Sequence, residues 1–153
     1  LGIFRRLHGE KHPYVAKALD SIGMILNKQG EYDEALKLYR KALKIRRHVE
    51  EGHQVVATTL CNIGIVLCDQ GKHDEAVEVY EEALGVFTRA LGVDNKKNAE
   101  AHWNIALAKR ETGDVAGALE SARESVRIYD KLGITNTVSQ RAGDMLMGLD
   151  GIE

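Results

Sequence analysis

The chain has 153 residues, 44% of them apolar and 29% charged, the balance of a globular domain large enough for one sizeable core. A net charge of −2 supplies no field that would draw in nucleic acid or an anionic membrane surface, so neither is expected as a partner. One proline, Pro13, and few β-branched runs favour helices over strands.

In chain order, the stretch 2–13, GIFRRLHGEKHP, is similar to KIRRHVEEGHQ at 44–54 and GVFTRALGVDNK at 85–96. Residues 1–9 are therefore expected to be the tail of a preceding unit, and the array is expected to be cut at both ends. Val15, Leu19, Ile22 and Leu26 then recur at spacings of 4, 3 and 4, which predicts a helix beginning near Pro13. Gly30 ends it, because glycine accepts the left-handed conformation that follows a helix C-terminus. Asp33 or the residue before it starts a second helix, with Ala35, Leu38, Tyr39, Ala42 and Leu43 on its apolar face.

The same pattern returns 41 residues later. Gly23, Gly30, Glu34, Ala35, Tyr39, Ala42 and Leu43 recur as Gly64, Gly71, Glu75, Ala76, Tyr80, Ala83 and Leu84. Ala106, Gly113, Ala118 and Val126 mark a weaker third copy, with Lys109 at an apolar place and Ala122 at the aromatic one; Gly148 marks a fourth. The expected organisation is one array over 1–153: a tail at 1–9, repeats at 12–52, 53–93 and 95–134, and a partial repeat or capping helix at 136–153. Small residues at Gly23, Ala35 and Ala42 permit close helix crossings. No single helix pair buries its face alone, so each copy is expected to stack on the next as a solenoid.

Within the second copy, Gln54–Cys68 is the longest uncharged stretch, and it falls short of the roughly 20 apolar residues of a membrane span. Cys61 and Cys68 lie seven residues apart on one predicted helix, roughly 10 Å along its axis, too far for a disulfide. They are expected to be free thiols of a cytoplasmic protein.

The pattern of bulky and small residues on the first helix, followed by Ala, aromatic and Ala on the second, resembles the tetratricopeptide repeat. The long period looks like the kinesin-light-chain type, carried here by His12, Pro13, Val15 and Ala16, then Gln29, Gly30, Tyr32, Glu34 and Ala35. This resemblance implies an all-α right-handed superhelix of antiparallel helix pairs. It also implies a protein–protein interaction scaffold that holds a peptide or helix of a partner in a concave groove lined by the first helix of each pair. The groove positions transfer to Lys17, Asp20, Ser21, Met24, Asn27 and Lys28 in the first copy. In the second they are Thr58, Cys61, Asn62, Ile65, Cys68 and Asp69, and in the third Glu100, Trp103, Asn104, Leu107, Arg110 and Glu111.

Asn62 and Asn104 are equivalent, and their amides match the donor and acceptor of a peptide unit, either of a bound partner or of a neighbouring helix. Trp103, the sole tryptophan, either forms an apolar floor with Met24, Ile65 and Leu107 or packs against the final helix. An Hsp70 or Hsp90 tail is not the expected ligand. Of the places that would form a carboxylate clamp (Asp20, Met24, Asn62, Glu100 and Asn104) only Asn62 fits, and Asp20 and Glu100 repel a carboxylate.

No catalysis, metal or cofactor is expected. None of the six histidines falls in a zinc-ligand pattern, Cys61 and Cys68 with His73 make an incomplete site, and no nucleophile has a base beside it. Arg46-Arg47 and Glu81-Glu82 fit solvated faces of second helices. Two other roles fit the same sequence: self-association through the ends of the array, and a regulatory segment of a larger multidomain signalling protein.

Overall fold

The computed structural model describes residues 13–48 and 53–149, and among these there are seven α-helices and no strand. They are α1 (Pro13–Lys28), α2 (Tyr32–His48), α3 (His53–Asp69), α4 (His73–Leu91), α5 (Lys96–Thr112), α6 (Val115–Leu132) and α7 (Thr137–Leu149). The expected tail at 1–9 lies outside the described residues. The chain forms two compact units, Leu1–Lys72 and His73–Glu153.

In the first unit Pro13 opens α1, where its missing N–H leaves no bond unmade. Gly30, at φ +80°, closes it. The Gly30 N–H donates to the Asn27 carbonyl at 3.0 Å and the Glu31 N–H to the Leu26 carbonyl at 2.9 Å. The chain reverses there, and α2 returns along α1. Val15, Ala16, Leu19, Ala42 and Ile45 form the shared core. At Gly23 the Tyr39 ring approaches so closely that a Cβ would lie 3.1 Å from it. Asp33 and Glu34 in the first turn of α2, and Arg47 and His48 in its last, suit the helix dipole. Helix α3 packs on α2.

Arg46 corrects the sequence expectation. Its neighbour Arg47 is solvated, but Arg46 is 5% exposed, ion-paired to Asp20 of α1 and donating to the Thr59 hydroxyl of α3. The cause is helical phase: Arg46 follows buried Ala42 by four residues and so shares its inward face.

The second unit packs α4 on α5, α5 on α6 and α6 on α7. Buried Asn98 holds the α4–α5 connection. Its Nδ2 donates to the Thr88 hydroxyl at 3.0 Å, the Gly92 carbonyl at 3.1 Å and the Val93 carbonyl at 2.9 Å. Two residues, Gly113 and Asp114, join α5 to α6; Asp114 caps α6 by accepting from the Gly117 N–H at 2.9 Å. Ala99, Ile128 and Tyr129 form one core cluster, and Trp103, Ala106, Ala122, Ala142 and Met145 another.

Candidate functional site

The groove positions carried by the sequence fall on α1, α3 and α5, and the structure divides them into engaged and open groups. On α1, Lys17, Ser21, Met24 and Lys28 are exposed. The Ser21 hydroxyl donates back to the Lys17 carbonyl at 3.1 Å, the usual resting place of a helical serine. Asp20 and Asn27 are half-buried and engaged: Asp20 takes Arg46, and Asn27 Nδ2 donates to Asp69 Oδ2 on α3 at 2.9 Å. Two expected ligand-binding residues, Asn27 and Asp69, thus tie the first copy to the second. Gln70 adds a parallel tie, donating to Asp33 at 3.0 Å. Burial, and then the Asp20 carboxylate, raise the Tyr39 pKa and keep its phenol protonated.

On α3, Thr58 is exposed and its hydroxyl donates to the Gln54 carbonyl at 2.8 Å. Cys61 and Cys68 are half-buried, and neither is in a disulfide. Ile65 is 43% exposed and Met24 of α1 is 51% exposed, large apolar side chains left to solvent in the first unit. Asn62 of α3 and Asn104 of α5 are half-buried, and among the described residues neither side chain is taken up by a hydrogen bond.

In the second unit, Glu100 lies 3.8 Å from Lys96 and 3.7 Å from Lys97, and Arg110 lies 3.6 Å from its neighbour Glu111. Trp103 is 8% exposed and packs with Ala122, Ala142 and Met145, so of its two expected positions it takes the one against α7. One side of it still borders a cleft of about 530 Å³, lined also by Leu107 and Arg110 of α5 and by Arg141, Asp144, Met145 and Gly148 of α7. The α7 residues were not among the sequence candidates. The signal was present: counting 42 residues from Trp103, as Gly148 is counted from Ala106, reaches Met145.

A smaller cleft of about 290 Å³ lies among α4, α5 and α6, lined by Glu81, Leu84, His102, Ile105, Lys109, Glu120, Ser121 and Glu124. Burial lowers the His102 pKa, the Glu124 carboxylate opposes that shift, and Arg127 and Lys109 add to it. Glu124 is itself held low by Arg127, whose Nε donates to it at 3.0 Å. Arg127 also reaches Asp94 at 2.9 Å, and with Lys131 it lowers the Asp94 pKa.

Among the described residues no group of three or more His, Cys, Asp or Glu side chains is placed to hold a metal ion. No described helix is long and apolar enough to cross a membrane.

No curated protein matches the chain in sequence. Solved structures do match in fold. BtubC (BKLC) of P. vanneervenii is 21% identical over 90% of this chain, with a TM-score of 0.76; the chain spans 56% of its length. A kinesin light chain protein of Podosopora anserina with nearly identical repeats is 16% identical over 97% of this chain and 71% of its own, with a TM-score of 0.78. The N-terminal domain of stress-induced protein-1 of C. elegans is 20% identical over 87% of this chain and 95% of its own, with a TM-score of 0.68. The tetratricopeptide repeat profile matches residues 1–48 and 55–131. The chain belongs to the tetratricopeptide repeat family.

Proposed function

We propose that the chain is a non-catalytic protein-interaction module that holds a peptide or helical segment of a partner protein on the first helices of its repeats. The observation that carries this reading is the cleft of about 530 Å³ between α5 and α7. Trp103, Leu107 and Met145 give it an apolar wall, and Arg110, Arg141 and Asp144 give it a charged rim. Pockets of this size with apolar lining and a few polar groups are where side chains of a partner gain most from burial.

Asn62 and Asn104 support the same reading. Among the described residues neither side chain is hydrogen-bonded, so each amide keeps a donor and an acceptor for one peptide unit of a partner. The carboxylate clamp of a chaperone-tail receptor remains unmet, since Met24 and Glu100 stand at two of its places and Asp20 is taken up by Arg46. Cys61 and Cys68, outside any disulfide, fit action in the cytoplasm.

Trp103, the only tryptophan, supplies the test. Peptides selected on the wild-type chain from a display library are expected to shift Trp103 emission on binding. Their affinity is expected to fall about tenfold in Asn62→Ala/Asn104→Ala, the loss of one to two hydrogen bonds. Peptides that leave the emission unchanged and bind the variant equally well would place the binding surface elsewhere.

A further inference from the structure

The first two copies keep their buried positions and invert their solvated ones. Ala35, Tyr39 and Ala42 of α2 recur as Ala76, Tyr80 and Ala83 of α4, and all six are buried. The exposed positions between them change sign: Lys37, Arg40 and Lys41 stand where α4 has Glu78, Glu81 and Glu82. Beyond the first-turn Asp33 and Glu34, every charged residue of α2 is basic; before Arg89, every charged residue of α4 is acidic. Solvated helices commonly place opposite charges four residues apart. Here Lys37–Lys41 and Arg40–Lys44 place like charges there, and Glu78–Glu81 does so three apart, which disfavours each helix on its own and favours an opposite partner.

The acidic side also has relief. The cleft among α4, α5 and α6 is lined by apolar Leu84 and Ile105 together with acidic Glu81 and Glu120. That arrangement fits a lysine or arginine, whose alkyl stem covers apolar surface while its charged head stays at a polar rim. Of the other charged lining groups, Glu124 is paired to Arg127 and Lys109 brings one opposing charge.

We propose that copies of this chain associate through these two faces, the exposed basic side chains of α2 in one copy docking on the acidic α4 face and its cleft in another. The contact uses second helices and, in the cleft, His102, Ile105 and Lys109 of α5, none of which is among the residues of the proposed peptide site. Each copy offers one basic and one acidic face, so each can both give and receive the contact and the mass in solution grows with concentration. Exposed ion pairs are individually weak and screened by salt, which makes the association weak and salt-labile.

Sedimentation velocity on the full chain tests this with two variants, Arg40→Glu/Lys41→Glu/Lys44→Glu and Glu78→Lys/Glu81→Lys/Glu120→Lys. All six residues are exposed, and the exchanges are between good helix formers, so unchanged melting is expected of each. Wild type is expected to gain mass with concentration at low ionic strength and to return to monomer in high salt. Each variant alone should associate about tenfold or more weakly, and an equimolar mixture of the two should regain association, since the unchanged α2 of one meets the unchanged α4 of the other and the two reversed faces also match. A wild type that stays monomeric throughout overturns the proposal, as do variants that associate as wild type does. A mixture that fails to recover, or monomeric wild type that binds a synthetic oligolysine at the α4 face, assigns that face to a different basic segment and overturns self-association.

Discussion

Trp103 packs on Ala122 inside the second unit, and the two divide their space in the reverse of the first copy. The equivalent pair there is Asp20 and Tyr39, a small polar residue opposite a large ring that lies on Gly23. In the third copy the aromatic mass has moved from the second helix to the first. Ala122 leaves the hole that Tyr39 fills in the first copy, Trp103 fills it from the opposite side, and α7 covers the indole with Ala142 and Met145.

A compensating exchange tests that account. Trp103→Cys, the residue of the second copy, is expected to cost about 3 kcal/mol, the lower end for losing a buried indole because the cleft beside it admits water. Ala122→Tyr alone overpacks the same place and is expected to cost about 1–3 kcal/mol. The double variant puts a ring on the second helix opposite a small residue, as in the first copy, so its loss should fall short of the sum by about 1 kcal/mol or more. Urea unfolding followed by circular dichroism measures all three, and simple additivity would mean that the two residues do not share the space.

Arg46 gives a second cycle. Asp20→Leu leaves the guanidinium buried with Thr59 and without its carboxylate, and is expected to cost about 3 kcal/mol. Asp20 keeps 20% of its side chain in solvent, which places the cost at the low end for a buried pair. Replacing both partners, Asp20→Leu/Arg46→Met, removes the stranded charge and should recover much of the loss. A double variant less stable than either single variant would show that other contacts of Arg46 dominate.

The helices and their turns were legible because a 41-residue echo fixes their phase twice over: Gly23 at a close helix crossing, Gly30 after α1 and Pro13 at its start follow from spacing and backbone sterics alone. Side-chain partners between copies were not legible. Arg46 and Arg47 are the same residue type side by side, and only the exact phase of α2 sends one inward. Asp20, Asn27 and Asp69 stand at places where the family binds ligands, yet two of them bond each other and the third holds Arg46. A register transferred from a repeat pattern names positions on a face; it does not contain the pairings between neighbouring copies. Asn98 shows the same limit. It stands where the earlier copies have Val15 and Val56, and its burial depends on three acceptors that only the folded α4–α5 connection supplies.

Gly23 offers a graded probe of the α1–α2 crossing. A Cβ there would lie 3.1–3.2 Å from three atoms of the Tyr39 ring, which has to give by a few tenths of an ångström. Gly23→Ala gains helix propensity of about 1 kcal/mol against that crowding and is expected to stay within about 1 kcal/mol of wild type. Gly23→Leu has no such compensation and should lose about 3 kcal/mol, with partial recovery in Gly23→Leu/Tyr39→Ala. Thermal melts of the three chains decide this; a Gly23→Leu chain as stable as wild type would mean that the two helices part easily.

The pH dependence follows from His102. Burial holds its folded-state pKa below the ordinary 6.5, so between that value and 6.5 the unfolded chain binds more protons than the folded one. Its contribution to stability is therefore fully present above pH 6.5 and is lost as the pH falls through that window. Glu124 opposes the effect by favouring the charged imidazole, while Arg127 and Lys109 reinforce it. The carboxylates of Glu124 and Asp94, held low by Arg127 and Lys131, act in a separate window: their stabilisation is present above pH 4.5 and disappears as more acid protonates them. Melting temperatures measured from pH 7.5 to 3 should accordingly fall in two stages. His102→Gln should flatten the first stage and keep the second. If wild type and His102→Gln fall in parallel from pH 7 to 5, the imidazole is solvated in the folded chain and the cleft among α4, α5 and α6 is open enough to hydrate it.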